Sequence, residues 1–100
     1  MKYIDNTRRD QKLVSLLSIG EEQTRHGVKY RLRKGTREIE SAYSIIEALN
    51  ILRNANAVII INNENSELFK AVNNAEFIIL DLEPFYNYID TSHNIELELI

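Results

Sequence analysis

Five consecutive apolar residues, Ala57-Val58-Ile59-Ile60-Ile61, constrain this chain more than any other segment. All but the first are β-branched, and the run leaves neither face of an extended chain polar. It therefore reads as a strand covered on both sides. It falls far short of the roughly 20 residues that a membrane-spanning helix needs. The Asn62-Asn63-Glu64-Asn65 stretch behind it is a turn. Ser66 then opens a short helix running to Val72, with Glu67 in its first turn and Leu68, Phe69 and Val72 apolar. Phe77 to Leu80 predicts a second buried strand. Together these make a βαβ unit over 57–82 with a right-handed crossover.

Upstream, Val28 to Ser41 predicts a β-hairpin, with Lys34-Gly35 as the central turn residues and Gly35 supplying a positive φ. That register sets Arg31 opposite Glu38, Tyr30 opposite Ile39 and Lys29 opposite Glu40. Val28, Tyr30, Leu32 and Ile39 then share the apolar face. A slip by one residue would exchange the faces and break both charge pairs.

Thr7 to Ile19 predicts a helix. Thr7 and Asp10 have capping-box spacing, Leu13, Val14, Leu16 and Leu17 form a stripe, and Gly20 stands where a C′ glycine belongs. The competing reading of Leu13 to Ile19 is a strand. Glu21 to Gly27 reads as a polar loop. Ala42 to Asn54 predicts a second helix, N-capped by Ser41, with Tyr43, Ile46, Leu49 and Leu52 recurring every third residue. Pro84 opens a single helical turn through Phe85, Tyr86, Tyr88 and Ile89. Ile95 to Ile100 alternates Ile95, Leu97 and Leu99 against Glu96 and Glu98, a half-exposed strand whose glutamates would discourage edge pairing. The expected fold is thus α+β (mixed α/β). A single domain, 1–100, holds one mixed sheet of about five strands with two main helices.

Composition narrows function. Hydrophobic content of 44% and charged content of 27% exclude disorder. With no cysteine, disulfides, thiolate catalysis and Cys-based zinc sites are excluded. No signal peptide is visible, so a cytoplasmic home is expected, with no membrane contact. Fourteen Ile and eleven Asn suit an AT-rich genome, and with it a phage or another mobile element.

Charge is divided by position. Residues 1–37 carry ten Lys and Arg against four acids, a net +6. Residues 38–100 carry two against eleven, a net −9. The basic candidates are Arg25, Lys29, Arg31, Arg33, Lys34 and Arg37, a ribbon fit for phosphates, with Arg8, Arg9 and Lys12 able to extend it. Glu38 and Glu40 oppose that ribbon, which weakens the nucleic-acid reading and leaves the acidic side for recognition. There the aromatic anchors Phe85, Tyr86 and Tyr88 combine with Asp81, Glu83 and Asp90, supported by Glu96 and Glu98, as a surface for a basic protein partner. A third candidate is a small-molecule site at the strand ends, Asn62, Asn63, Asp81 and Glu83, near the Ser66 helix N-terminus.

No spaced ligand motif, Walker loop or nucleophile elbow is present, so no catalytic residue, metal or cofactor is assigned. Asp90, Ser92 and His93 lie too close in sequence for triad geometry. The leading expectation is a small, non-enzymatic, partner-binding protein: an inhibitor, antitoxin or immunity-type module acting by surface occlusion. Nucleic-acid binding and a small-molecule or metal-dependent activity are the alternatives. A homodimer built on the two charge halves is also open to it.

Overall fold

A computed structural model of the chain describes residues 2–7, 13–81, 86–91 and 94–99. Their elements are, in order, β1 (Lys2–Asp5), β2 (Leu13–Thr24), β3 (Gly27–Lys34), β4 (Arg37–Ala42), α1 (Ile45–Asn54), β5 (Ala57–Ile61), α2 (Glu67–Asn74), β6 (Ile79–Asp81), β7 (Tyr86–Thr91) and β8 (Asn94–Leu99). All the strands join one mixed sheet, six of them in the path β4-β3-β2-β5-β1-β6. β8 adds to β2, and β7 to β8. The expected class, a single mixed sheet with two helices, is what the chain adopts, with more strands than the sequence pattern suggested.

β5 is the unbroken apolar run, with the expected bounds. It pairs in parallel with β2 and antiparallel with β1. Both its faces are buried. Ile59 and Ile61 join the main core with Ile4, Leu17, Ile19, Tyr30 and Leu32, beneath Ala48 and Leu52 of α1 and Leu68 and Val72 of α2. Val58 joins Tyr3, Val14 and Leu16 on the opposite face. Burying each of these branched side chains contributes about 1.5–3 kcal/mol.

Several expectations change. The helix over Thr7–Ile19 is instead strand β2, which continues to Thr24 through the segment read as a polar loop. Leu13, Val14, Leu16, Leu17 and Ile19 satisfy helical spacing. They also place Val14 and Leu16 on one strand face and Leu17 and Ile19 on the other, and a central strand buries both. The pattern is degenerate, and pairing with β5 decides it. Gly20 is accordingly a strand residue and not a helix C′ residue. Asp10, the other half of the capping box, lies outside the described residues, as do Arg8, Arg9 and Lys12. Thr7 turns back instead, its N–H and hydroxyl both donating to Asp5 Oδ1.

The hairpin exists, but Lys34 pairs with Arg37, so Gly35 (φ 64°) and Thr36 make the turn. A bulge opposite Leu32/Arg33 then shifts the register, setting Arg33 opposite Glu38, Leu32 opposite Glu40 and Tyr30 opposite Ala42. Ile39, the extra residue, is exposed and does not share the buried face of Tyr30 and Leu32.

α1 starts later than expected, with Ser44 as its N-cap accepting from the Glu47 N–H at 3.2 Å. Its buried residues are Ala48 and Leu52, flanked by Ile45 and Leu49. A spacing of three lags about 60° per step on a 3.6-residue helix. The Tyr43-Ile46-Leu49-Leu52 series therefore winds off the core face, and both Tyr43 and Ile46 emerge exposed.

Around the acidic half, β1 lies between β5 and β6, so the 57–82 unit spans an intervening strand. β6 begins later than expected and is a short outer strand, with Leu80 exposed. The helical turn expected over Phe85–Ile89 is replaced by β7 from Tyr86 onward. Pro84 and Phe85 lie outside the described residues. β8 has the expected extent within a residue, but it is paired on both edges, to β2 and β7, and is not an open edge.

Candidate functional site

The register of β2 and β3 places Lys29, Arg31 and Arg33 on one sheet face with Ser18, Gly20 and Glu22. An ion-pair chain crosses three strands there. Glu22 Oε2 lies 2.9 Å from Arg31 Nη1, Arg31 Nε lies 3.2 Å from Glu38 Oε1, and Lys29 Nζ lies 3.3 Å from the same oxygen. The bulge carries Glu40 opposite Leu32, so Glu38 takes the place expected of Glu40 beside Lys29. Arg31 Nε is buried yet makes no hydrogen bond, because Glu38 lies off its N–H axis. These half-exposed pairs contribute about 0–1 kcal/mol each. Their chief effect is to neutralise two of the three cations on this face.

Arg33, Lys34, Arg37 and Arg25 have no acidic partner among the described residues. Lys34 directly opposes Arg37 at the hairpin tip, a mildly repulsive pairing. Arg25 lies beyond the other end of β3, roughly 23 Å away along the strand. The six basic candidates therefore split into a neutralised pair, a three-residue tip and one distant residue.

A recess of about 270 Å³ opens beside the neutralised pair, lined by Gly20, Glu21, Glu22, Arg31, Arg33, Asn62 and Asn63. It forms because β2 outruns β5. The last parallel pair is Ile19–Ile61, and the Asn62 N–H still donates to Ile19 O at 3.0 Å. Beyond that point the β2 edge has no strand partner among the described residues. Gly20 sits in the floor, where an added Cβ would come within 3.0 Å of Asn62 Nδ2. Asn63 Oδ1 accepts from the Asn65 N–H, and Asn63 O accepts from the Ser66 hydroxyl, which fixes the turn.

The helix N-terminus nearby is already filled. Ser66 Oγ accepts from the Phe69 N–H at 3.0 Å, and Glu21 Oε1 accepts from the Leu68 N–H at 2.9 Å. A carboxylate from β2 thus holds the position the sequence offered to a ligand anion. Tyr30, paired with Glu21, has its hydroxyl held above the usual tyrosine range by burial first, then by the charges of Glu21 and Glu67.

A second feature is a set of exposed apolar residues close in sequence, here called the strip, on the outer strand β4 and at the start of α1. Ile39 is 42% exposed, Tyr43 52% and Ile46 74%. Exposed Glu40 and Glu47 flank these residues, and neither has an ion-pair partner among the described residues.

The remaining sequence candidates are dispersed. Asp81 ends β6, two strands from β5, and its carboxylate lies 2.9 Å from Lys2 Nζ. It does not join Asn62 and Asn63. Hydrogen bonding to Lys2, then its charge, lowers the Asp81 pKa below the usual aspartate value. Tyr86, Tyr88 and Asp90 occupy alternate positions of β7, opposite Leu99, Leu97 and Ile95. Glu83, Phe85, Ser92 and His93 lie outside the described residues. No group of three His, Cys, Asp or Glu among the described residues is arranged to hold a metal. No helix there is long and apolar enough to cross a membrane.

The union of Arg31 and Arg33 with Asn62 and Asn63 was not foreseen, because it depends on β2 lying between the two segments. No protein-family model, curated protein or solved structure matches the chain.

Proposed function

We propose that this chain is a partner-binding protein of the cytosol, a non-enzymatic inhibitor, antitoxin or immunity-type module that occludes a basic surface on another protein. The observation that carries this reading is the exposure of Ile39, Tyr43 and Ile46 on one outer strand and the helix that follows it. A helix's outward face ordinarily carries polar residues. Large apolar groups exposed together mark interaction surfaces. Glu40 and Glu47 give the strip the opposite sign to a basic partner, and the net charge of −3 agrees. Such charges speed encounter while the apolar groups anchor.

This relocates the binding surface from the Asp81–Asp90 segment to residues 39–47. The ribbon reading is the weaker one, since Glu22 and Glu38 neutralise Arg31 and Lys29.

The test is affinity capture from the source cell at low salt, comparing the native chain with a Tyr43→Ser, Ile46→Lys double variant. Both substitutions fall on exposed positions, so folding stability should change by no more than about 0.5 kcal/mol each. A protein retained by the native chain, released by added salt and lost with the folded variant supports the reading. Equal recovery by both chains, or recovery by neither, counts against it.

A further inference from the structure

The recess between β2 and β5 has a topological cause that bears on what it holds. β2 and β5 are adjacent and parallel, and the chain leaves their C-terminal ends in opposite directions. From β2 it turns to β3 and β4; from β5 it crosses through α2 to β6, on the far side of β1. Where neighbouring parallel strands send their connections apart, a crevice opens at the strand ends, the usual ligand position in open α/β sheets. The recess lies where β5 ends, beside Gly20, Glu21 and Glu22 of β2, and it lies there independently of the strip at residues 39–47.

The chemistry of its walls is asymmetric. One Glu22 oxygen is engaged by Arg31, and one Glu21 oxygen by the α2 backbone. Arg31 is held between Glu22 and Glu38. The Arg33 guanidinium and the Asn62 side-chain amide have no partner among the described residues, and both line the recess. The unengaged donors are thus the Arg33 guanidinium and the Asn62 amide, set beside one unengaged oxygen each of Glu21 and Glu22, in a lining whose two arginines and two glutamates balance in charge. A guanidinium fork with an amide donor beside it suits an oxyanion, bound through two parallel N–H···O bonds. The volume of 270 Å³ equals that of roughly nine water molecules. That leaves room beside an oxyanion for a small organic portion.

We propose that the recess at the β2–β5 strand ends is a binding site for a small oxyanion-bearing molecule, a phosphate ester or a carboxylic acid, with Arg33 as its anchor and Asn62 as a second donor. The two chemistries share this recognition and differ in charge and shape.

Backbone amide NMR of the whole chain tests it, with inorganic phosphate, a sugar phosphate and succinate each titrated to about 20 mM. That is roughly twenty times the dissociation constant of a millimolar complex. The expected result is saturable shifts centred on Gly20, Asn62 and Asn63 with at least one probe. Arg33→Ala should weaken binding about ten- to hundredfold, the range of one charge-assisted hydrogen bond. Gly20→Ala should abolish it with thermal stability retained, because the added Cβ meets only the movable end of Asn62. Tighter binding of the phosphates identifies a phosphate ester; tighter binding of succinate identifies a carboxylic acid. No saturable shift with any probe overturns the proposal. So does undiminished binding by folded Arg33→Ala.

Discussion

Asn6 is the residue through which the first strand controls the first helix, and its removal has a calculable consequence. The side-chain Nδ2 lies 2.7 Å from Leu52 O, 3.1 Å from Arg53 O and 2.6 Å from Ala55 O, at the C-terminal end of α1. The Asn6 N–H also donates to Ala57 O at 3.1 Å, which fixes the side chain over the helix end. An amide has two protons, so at most two full hydrogen bonds are shared among the three carbonyls. Arg53 O is the exposed member and finds water readily; Leu52 O also accepts from the Ala55 N–H at 3.3 Å. The loss in Asn6→Ala is therefore two net hydrogen bonds at about 1 kcal/mol each, with little further desolvation penalty, or about 2 kcal/mol. For a domain of this length that lowers Tm by roughly 8–16 °C. Asn6→Asp should be worse. It keeps the shape but turns acceptors toward acceptors and sets a negative charge at the negative end of the helix dipole. Urea unfolding followed by far-UV circular dichroism measures both. A loss below about 0.5 kcal/mol for Asn6→Ala, or an aspartate variant no weaker than the alanine one, would refute the reasoning.

Three further outcomes follow from the same contacts. Glu21→Ala should cost about 1–2 kcal/mol in urea unfolding by removing the acceptor of the Leu68 N–H, whereas Glu21→Gln, which keeps an acceptor oxygen, should recover part of it. Tyr30 has a raised folded pKa, so its contribution to stability is complete below the unfolded tyrosine value near 10 and disappears as pH rises through the folded value. Ultraviolet titration, with Tyr30→Phe to identify the late-titrating phenol, should show that midpoint falling in Glu21→Gln. Asp81 has a lowered folded pKa, so its contribution is present above the unfolded aspartate value near 3.8 and is lost as pH falls through the folded one. Carboxyl NMR should return its midpoint toward the ordinary value in Lys2→Ala.

What could be read from the chain was whatever local chemistry determines. β5 was legible because an unbroken β-branched run has few other uses, and α2 because Ser66 and Glu67 mark its start. The hairpin was legible as an element but not in register, since a bulge is an insertion that alternation alone does not announce. β2 was misread as a helix because its two buried faces mimic helical spacing. Residues 2–5 end in an Asp5 turn that the sequence offered as the start of a helix at Thr7, so β1 in the sheet interior went unread. The site was legible in pieces. Arg31 and Arg33 belonged to one expected cluster, Asn62 and Asn63 to another, and no pattern within either segment reports that β2 brings them together. Ile46 was misplaced by spacing alone, since it belongs to an apolar series that the helix winds away from the core.

β2 separates the recess from the exposed apolar residues of β4 and α1. On one edge it takes β8 at Leu13–Ser15 and then β3 from Ser18 to Thr24, while on the other it takes β5 only from Ser15 to Ile19. Its last residues, from Gly20 onward, are thus paired on one edge and, among the described residues, open on the other. The open edge exposes the recess. The paired edge carries β3, and β3 carries β4 with the apolar strip. Glu22 and Arg31 tie the two edges together across Gly20, since Arg31 pairs in register with Gly20 and reaches Glu22 on β2 and Glu38 on β4. A ligand anchored by Arg33 would therefore bind at the residue directly opposite Glu38, on the strand that carries Ile39. Glu40 and Glu47, which flank the strip, stand outside the chain formed by Glu22, Arg31, Glu38 and Lys29, so the recess and the strip are separate features of the surface.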